Sequence, residues 1–375
     1  MLLDGFIPNY FQREVHHFAV RADPVESYKT VCAFDMASIP WIRGLFQLRT
    51  ILDPAPITQL TLRDAYTKGA FIRLHETPNQ ELVVGAIGKI WRPALQFEQV
   101  EPEEFVTYNL AGYGKVAWSM RCEARKGEGT LITFELRIGA TDSYSMLKMR
   151  SYFSLIGPFS RTIRRSVFNQ VGKQLGNFYE SEQTRNLPGD DAIDNPAGQA
   201  TTGITIEAPP EAIWPWLVQM GCLRGGWYSY DWLDNGGSPS AARIMPQWQN
   251  LRSGDTLPAT PNGREKFIVV SVEPYQSLLL GGCVNTDTGE TKSPRTVDLP
   301  EHYWRSTWSF VLEPQTPSVT RLVVRARADF RDQNNRLSGL RTWIVGHIHN
   351  FMEAKQLRNI KRMSEQMYAL SLTAA

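Results

Sequence analysis

The sequence predicts an α+β chain of two tandem domains, each a twisted antiparallel sheet wrapped around a long C-terminal helix. Three observations lead there. Residues 113–142 and 303–332 align without a gap, 190 positions apart, and share seven of thirty residues: Tyr113/Tyr303, Trp118/Trp308, Ser119/Ser309, Glu123/Glu313, Thr130/Thr320, Arg137/Arg327 and Asp142/Asp332. A second pair lies 186 positions apart: the run Val20, Arg21, Ala22, Asp23, Pro24 leads to Tyr28, and Ile206, Glu207, Ala208, Pro209, Pro210 leads to Trp214. A repeat this long, against roughly 20–50 residues for a solenoid unit, means a duplicated domain. The third observation is a polar stretch rich in Pro and Gly at 181–200, without apolar period, which reads as a linker. The expected boundaries are domain one at 1–180, the linker at 181–200 and domain two at 201–375.

Each half has the same order of elements. A strand comes first, at 18–22 and at 203–208. A helix starts at Pro24 and at Pro210, because Pro suits a first turn where its missing N–H would be unpaired anyway. Paired strands follow. Ile132, Phe134, Leu136, Ile138 and Ala140 alternate with Thr133, Glu135, Arg137 and Gly139. Leu322, Val324, Ala326, Ala328 and Phe330 alternate with Val323, Arg325, Arg327 and Asp329. Successive strand side chains point to opposite faces, so each sheet is expected to have one apolar and one polar face. Trp118 and Met120 share the apolar phase, as do Trp308 and Phe310.

The apolar face needs a cover, and the last helix of each half supplies it. Phe159, Ile163, Val167 and Val171 recur at helical steps in the first half. Trp343, Ile344, Ile348, Phe351 and Met352 do so in the second, with Lys355, Arg358, Lys361 and Arg362 beyond. Gly157-Pro158 predicts a break or kink near Ile156, because Pro lacks a donor and clashes with the preceding turn.

Composition narrows the function. The chain has 375 residues, 40 basic and 38 acidic side chains and a formal charge of +2. That balance creates no field for nucleic acid or for an anionic membrane. Cys32, Cys122, Cys222 and Cys283 stand alone, so neither a zinc knuckle nor a redox pair is expected, and a reduced, cytoplasmic chain is the simplest reading. The N-terminus lacks the basic start and apolar core of a signal peptide, and no run has the ~18 apolar residues of a membrane span. No metal, no cofactor and no partner beyond a small molecule is expected; the oligomeric state is open. Dinucleotide, Walker, nucleophile-elbow and zinc-helix motifs are not found.

The order of elements resembles the START-like, or helix-grip, superfamily (SRPBCC), which includes lipid-transfer domains and polyketide cyclase/dehydrase-like proteins. The residues that carry it are ITIEAPPEAIWPWLVQMG at 204–221, GWYSYDWLDN at 226–235 and RLVVRARADF at 321–330. In the first half they are VVGAIGKIWRP at 83–93 and SLIGPFSRTIRR at 154–165. The resemblance implies a cavity between sheet and helix for an apolar small molecule. It implies no catalytic motif.

The expected ligand wall lies in the second half. Trp227, Tyr228, Tyr230 and Trp232 form the densest aromatic segment, which reads either as a pocket wall with orienting hydroxyls or as core. Trp41, Ile42, Leu45 and Phe46 are the first half's counterpart. Trp304, Trp308 and Phe310 on the sheet and Ile344, His347 and Phe351 on the helix complete the set. His347 falls on the apolar stripe and His349 off it; two apart, they do not form a zinc pair. Arg73, His75 and Glu76 read as a solvated strand edge, as does the polar face of Tyr303, Arg305 and Thr307. Asp231 and Asp234 suit helix capping. Arg161, Arg164 and Arg165 read as a solvated helix face, with an anionic surface as the alternative. The expected inner faces carry almost no charge, which favours binding of a lipid, polyketide or isoprenoid-like molecule over catalysis. The alternatives are a cyclase or dehydratase using Tyr228, Tyr230, His347 or Asp231, and an interaction protein with one degenerate copy.

Overall fold

The computed structural model describes residues 2–49, 61–63, 71–92, 96–263, 265–331 and 338–374; the side chains of 45–49, 338–350 and 374 lie outside that set. The chain divides into two compact units, Met1–Tyr179 and Glu180–Ala375.

Unit one runs α1 (Leu2–Phe6), β1 (Gln12–Val20), α2 (Pro24–Ala33), α3 (Pro40–Arg49), β2 (Ile72–Thr77), β3 (Glu81–Gly88), β4 (Phe97–Glu98), α4 (Pro102–Thr107), β5 (Gly114–Ala124), β6 (Thr130–Ala140) and α5 (Ser143–Leu175). Its antiparallel sheet has the order β1-β6-β5-β3-β2, with β4 on β3. Unit two runs β7 (Gly198–Ile206), α6 (Pro210–Val218), α7 (Asp231–Asp234), β8 (Thr256–Pro258), β9 (Lys266–Glu273), β10 (Ser277–Asn285), β11 (Thr291–Lys292), β12 (Tyr303–Thr316), β13 (Val319–Arg331) and α8 (Ser338–Ala374). Its sheet has the order β7-β13-β12-β10-β9-β8, with β11 on β10. In each unit the first strand pairs with the last, and the long helix packs on the inner face. Val167, Val171 and Leu175 join one core with Phe18, Trp118 and Phe134. Leu357, Ile360 and Met363 join the other with Ile206, Phe310 and Leu322. The expected sheet-around-helix arrangement is present twice.

One repeated pair, Thr130 and Thr320, has matching bonds. Thr130 Oγ1 donates to Ala22 O at 2.7 Å, and Thr320 Oγ1 donates to Ala208 O at 2.8 Å. Each bond ties a sheet strand to the turn that precedes the first long helix of its unit. Asp23 also caps α2, accepting from Val25 N and Glu26 N, and Asp142 caps α5 through Tyr144 N and Ser145 N.

The outer faces correct the expectation of a polar, solvated side. In unit one, Leu3 and Ile7 from the N-terminal segment and Phe105 of α4 pack on Ile72, Leu74, Val83, Ile87 and Ala117 as a second small core. Arg137 is buried there, 2.7 Å from Glu135 and 2.7 Å from Asp4, and donates to Ile7 O. In unit two the cover is the stretch read as a linker. This stretch includes a 3₁₀ turn at Asp190–Ala192, follows another at Phe178–Gln183, and buries Leu187, Ala192 and Ile193. Gly189, at φ +94°, lies so close that a Cβ would meet Leu279 at 2.5 Å. Arg321 grips Glu182 with two bonds of 2.8 Å. Arg325 pairs with Asp190 and donates to Glu182 O, Arg185 O and Thr201 Oγ1. Arg327, the repeat partner of Arg137, reaches Asp190. Thr307 and Tyr303 are likewise buried, and Asp329 accepts from Tyr303 Oη and Arg305.

Other expectations also shift. The first strands begin earlier, at Gln12 and Gly198. Helix α5 continues through Pro158 without a break. Pro158 frees the carbonyl of Ser154, and Ser154 is exposed, so water can take that acceptor. Phe159 and Phe351, both placed on buried stripes by spacing, are exposed. The inward stripe of α8 is instead Glu353, Gln356, Leu357, Ile360, Met363 and Ser364. Arg73 and His75 are exposed, as expected.

Candidate functional site

Strand register lays out the inner face of unit two in cross-strand rows. Leu278, Phe310, Val324 and Thr202 form one row. Leu280, Trp308, Ala326 and Ala200 form the next, then Gly282, Ser306, Ala328 and Gly198. Beyond them Val284, Trp304 and Phe330 close the series. Burial changes along the rows. Leu312, Leu322, Phe310 and Val324 are sealed, whereas Trp308, Ala326, Ser306, Ala328, Trp304 and Phe330 are half-buried although they point to the same side. The row of Gly282, Ser306, Ala328 and Gly198 has no side chain larger than Ser.

An aromatic wall borders these half-buried rows. The Trp227 ring lies 5.5 Å from Trp308 and 5.8 Å from Phe267, and Trp308 lies 4.9 Å from Phe310. The loop that carries Trp227 is clamped to α8. Gln356 Nε2 donates to Trp227 O at 2.9 Å, Asn359 Nδ2 to Tyr228 O at 2.8 Å, and Ser229 Oγ to Met352 O at 3.1 Å. Tyr228 sits in the left-handed region at φ +59° and accepts from Gln219 Nε2 at 2.5 Å. Burial pushes its phenol up to about 12, so it stays neutral near pH 7.

Among the described residues, an acidic side chain enters this face. Glu353 of α8 is 2% exposed and accepts from the indole Nε1 of Trp308 at 3.3 Å. Sequence reasoning missed it, and with it Phe267 and Gln356. The inward stripe passes through polar residues at 353 and 356, so an apolar pattern ends at Met352.

The other expected site residues are distributed differently. Tyr230 stacks on Phe351, with centroids 4.9 Å apart, and Lys355 Nζ stands 3.9 Å above the Tyr230 ring. Trp232, 6.5 Å from Tyr230, is 74% exposed. Those three rings form a solvent-facing group apart from the Trp227–Trp308 wall. Trp304 stacks on Phe330 at 5.6 Å. The side chains of Ile344 and His347, and those of Leu45 and Phe46, lie outside the described residues; Ile42 is buried and Trp41 exposed. Asp231 accepts from Ser240 Oγ at 2.6 Å. Burial, and then the Asp231 charge, push the Asp234 carboxyl up to about 6.

Unit one also departs from the expected uncharged interior. Gln12, Glu14 and His16 share the inward phase of Phe18 and Val20 on β1. Glu14 pairs with Arg161 at 2.9 Å and with Arg164, both from α5. His16 lies 5.8 Å from the Phe168 ring, which also touches Phe134; Trp118 stacks on Phe134. Burial first, and then the Arg164 charge, hold the His16 imidazole down at about 4, with Arg165 and Arg161 adding to the effect and Glu14 opposing it. Its ordinary value is about 6.5, so the unfolded chain takes up this proton first. Stability is therefore expected to fall as pH drops from about 6.5 towards 4. In His16→Gln this part of the acid dependence should vanish from urea midpoints measured across that range; an unchanged slope would remove His16 as its source.

Among the described residues, no group of three or more His, Cys, Asp or Glu side chains is placed to hold a metal ion. No helix among them is long and apolar enough to cross a membrane. The four cysteines are buried and unbridged.

No protein-family model matches the sequence, and no curated protein matches it. Solved structures to which the chain is similar include the di-domain ARO/CYC StfQ from the steffimycin biosynthetic pathway, at 10% identity over 95% of this chain and 99% of that one, TM-score 0.28. The di-domain ARO/CYC BexL from the BE-7585A biosynthetic pathway follows at 8% identity, over 96% and 99%, TM-score 0.22. A START superfamily protein from Mycobacterium smegmatis matches 46% of this chain with 97% of its own, at 10% identity and TM-score 0.18. No residue here takes a role from these likenesses.

Proposed function

We propose that unit two binds an apolar, ring-bearing small molecule of lipid, polyketide or isoprenoid-like chemistry between its sheet and α8. The observation that carries this reading is the half-open inner face. Residues of inward phase go from sealed at Phe310 and Val324 to half-buried at Trp308, Ala326, Ser306 and Ala328. Mostly apolar walls with a few fixed polar groups are what such a ligand needs. Trp227, Trp308 and Phe267 supply the walls, and Glu353 the polar group. Tyr230, Trp232 and Phe351 stand outside this space, so the reading gives them no direct contact.

A neutral fluorescent probe, N-phenyl-naphthylamine, tests it on the full chain. Ala326→Phe and Ala328→Leu fill the open rows and should weaken probe binding by roughly tenfold or more, about 1.4 kcal/mol, while the thermal midpoint holds. Undiminished binding in both variants would place the ligand elsewhere.

Glu353 favours one further reading, acid–base chemistry of the cyclase or dehydratase kind on the same ligand. Glu353→Gln separates the two. A binder keeps its ligand with similar affinity and has no turnover to lose, whereas an enzyme keeps the ligand and loses turnover.

A further inference from the structure

The solvent face of α5 has a composition that ligand binding does not use. Its 33 residues include six basic side chains, Lys148, Arg150, Arg161, Arg164, Arg165 and Lys173, and no Asp or Glu. The whole chain carries only +2, so positive charge is concentrated on this helix. Glu14 answers two of the six, Arg161 and Arg164. The inward face is occupied by Met149, Val167, Val171 and Leu175. On the outward side stand Tyr144, Leu147, Leu155 and Phe159, which are 59 to 71% exposed. Their spacing, i, i+3, i+11 and i+15, puts them on one stripe about four turns long. Lys148 lies within that stripe, its Nζ 4.0 Å from the Tyr144 ring centroid. Arg165 borders it by helical position.

We infer that this face of α5 docks on an anionic lipid surface, lying in the interfacial plane without spanning the membrane. Four large apolar side chains in a row enter the acyl boundary, and the cations beside them meet lipid phosphates and carboxylates. Charge complementarity selects this occupant over a second copy of the chain. Two such faces brought together would set Lys148 and Arg165 of one helix against those of the other with no acid on either helix.

Flotation of the full chain with vesicles tests the assignment. Phosphatidylcholine mixed with phosphatidylserine should carry the protein at low salt, and phosphatidylcholine alone should not. Raising the salt should release it. Leu155→Ser with Phe159→Ser should cut the bound fraction by about tenfold. Lys148→Glu with Arg165→Glu should do the same while leaving the apolar stripe intact. The inference is overturned if neither vesicle carries the protein, if neutral vesicles carry it equally well, or if both double variants bind as the parent does. It is also overturned if sedimentation velocity detects a dimer that Leu155→Ser with Phe159→Ser dissolves, since the stripe would then serve self-association.

Discussion

A fragment beginning at Thr201 is expected to lose cooperative folding, whereas one beginning at Glu180 keeps it. The missing stretch carries Glu182 and Asp190, the partners of Arg321, Arg325 and Arg327. Arg325 is 2% exposed. Without the stretch, three guanidinium groups on the outer face lose their carboxylates, and Leu279 loses its cover. Breaking a buried ion pair by removing one partner costs roughly 3–5 kcal/mol. Two such losses approach the whole of an ordinary domain's ~5–15 kcal/mol. Urea unfolding of the two fragments, followed by far-UV circular dichroism, measures the difference. A sharp transition in the Thr201 fragment would show that residues 180–200 are a mere tether. The fragment ending at Tyr179 retains its own sheet, helix and outer cover and is expected to fold.

The second large effect concerns the repeated tryptophans. Trp118 is buried on β5 and stacks on Phe134. Trp118→Ala is expected to cost roughly 3–5 kcal/mol. Trp308 has the equivalent sheet position but is half-buried. Trp308→Ala should cost about half as much in stability and should also weaken the neutral probe, because it removes a wall and the indole donor to Glu353. A loss below about 1 kcal/mol at both positions would mean the sheets are inside out. Equal losses at both, with probe affinity untouched, would mean that unit two is packed as tightly as unit one.

Much of this fold was legible because duplication writes it twice. Thr130 and Thr320 are identical and make the same bond to Ala22 and Ala208. Pro24 and Pro210 open helices in both halves. What composition hid were the polar residues with buried work. The stretch at 181–200 looks like a linker because its acids and glycines resemble loop chemistry, yet Glu182 and Asp190 are polar because they must answer arginines. Arg325 and Arg327 alternate with apolar residues as solvated side chains do, and the alternation cannot tell that a strap covers them. The site was hidden for a related reason. Glu14, His16 and Glu353 occupy inward positions that an apolar pattern assigns to hydrophobic residues. Trp232 and Phe351 were expected inside because large rings usually are, and their exposure depends on where a loop and a helix end, which periodicity does not encode.

The most direct measurement is a crystal structure of the full chain soaked with a neutral naphthyl probe. Density for one probe is expected on the inner face of unit two, over the row of Gly282, Ser306 and Ala328, with its rings against Trp308 and within contact of Glu353. Side chains filling that space, with the probe seated only on outer surfaces, would contradict a ligand site between the sheet and α8.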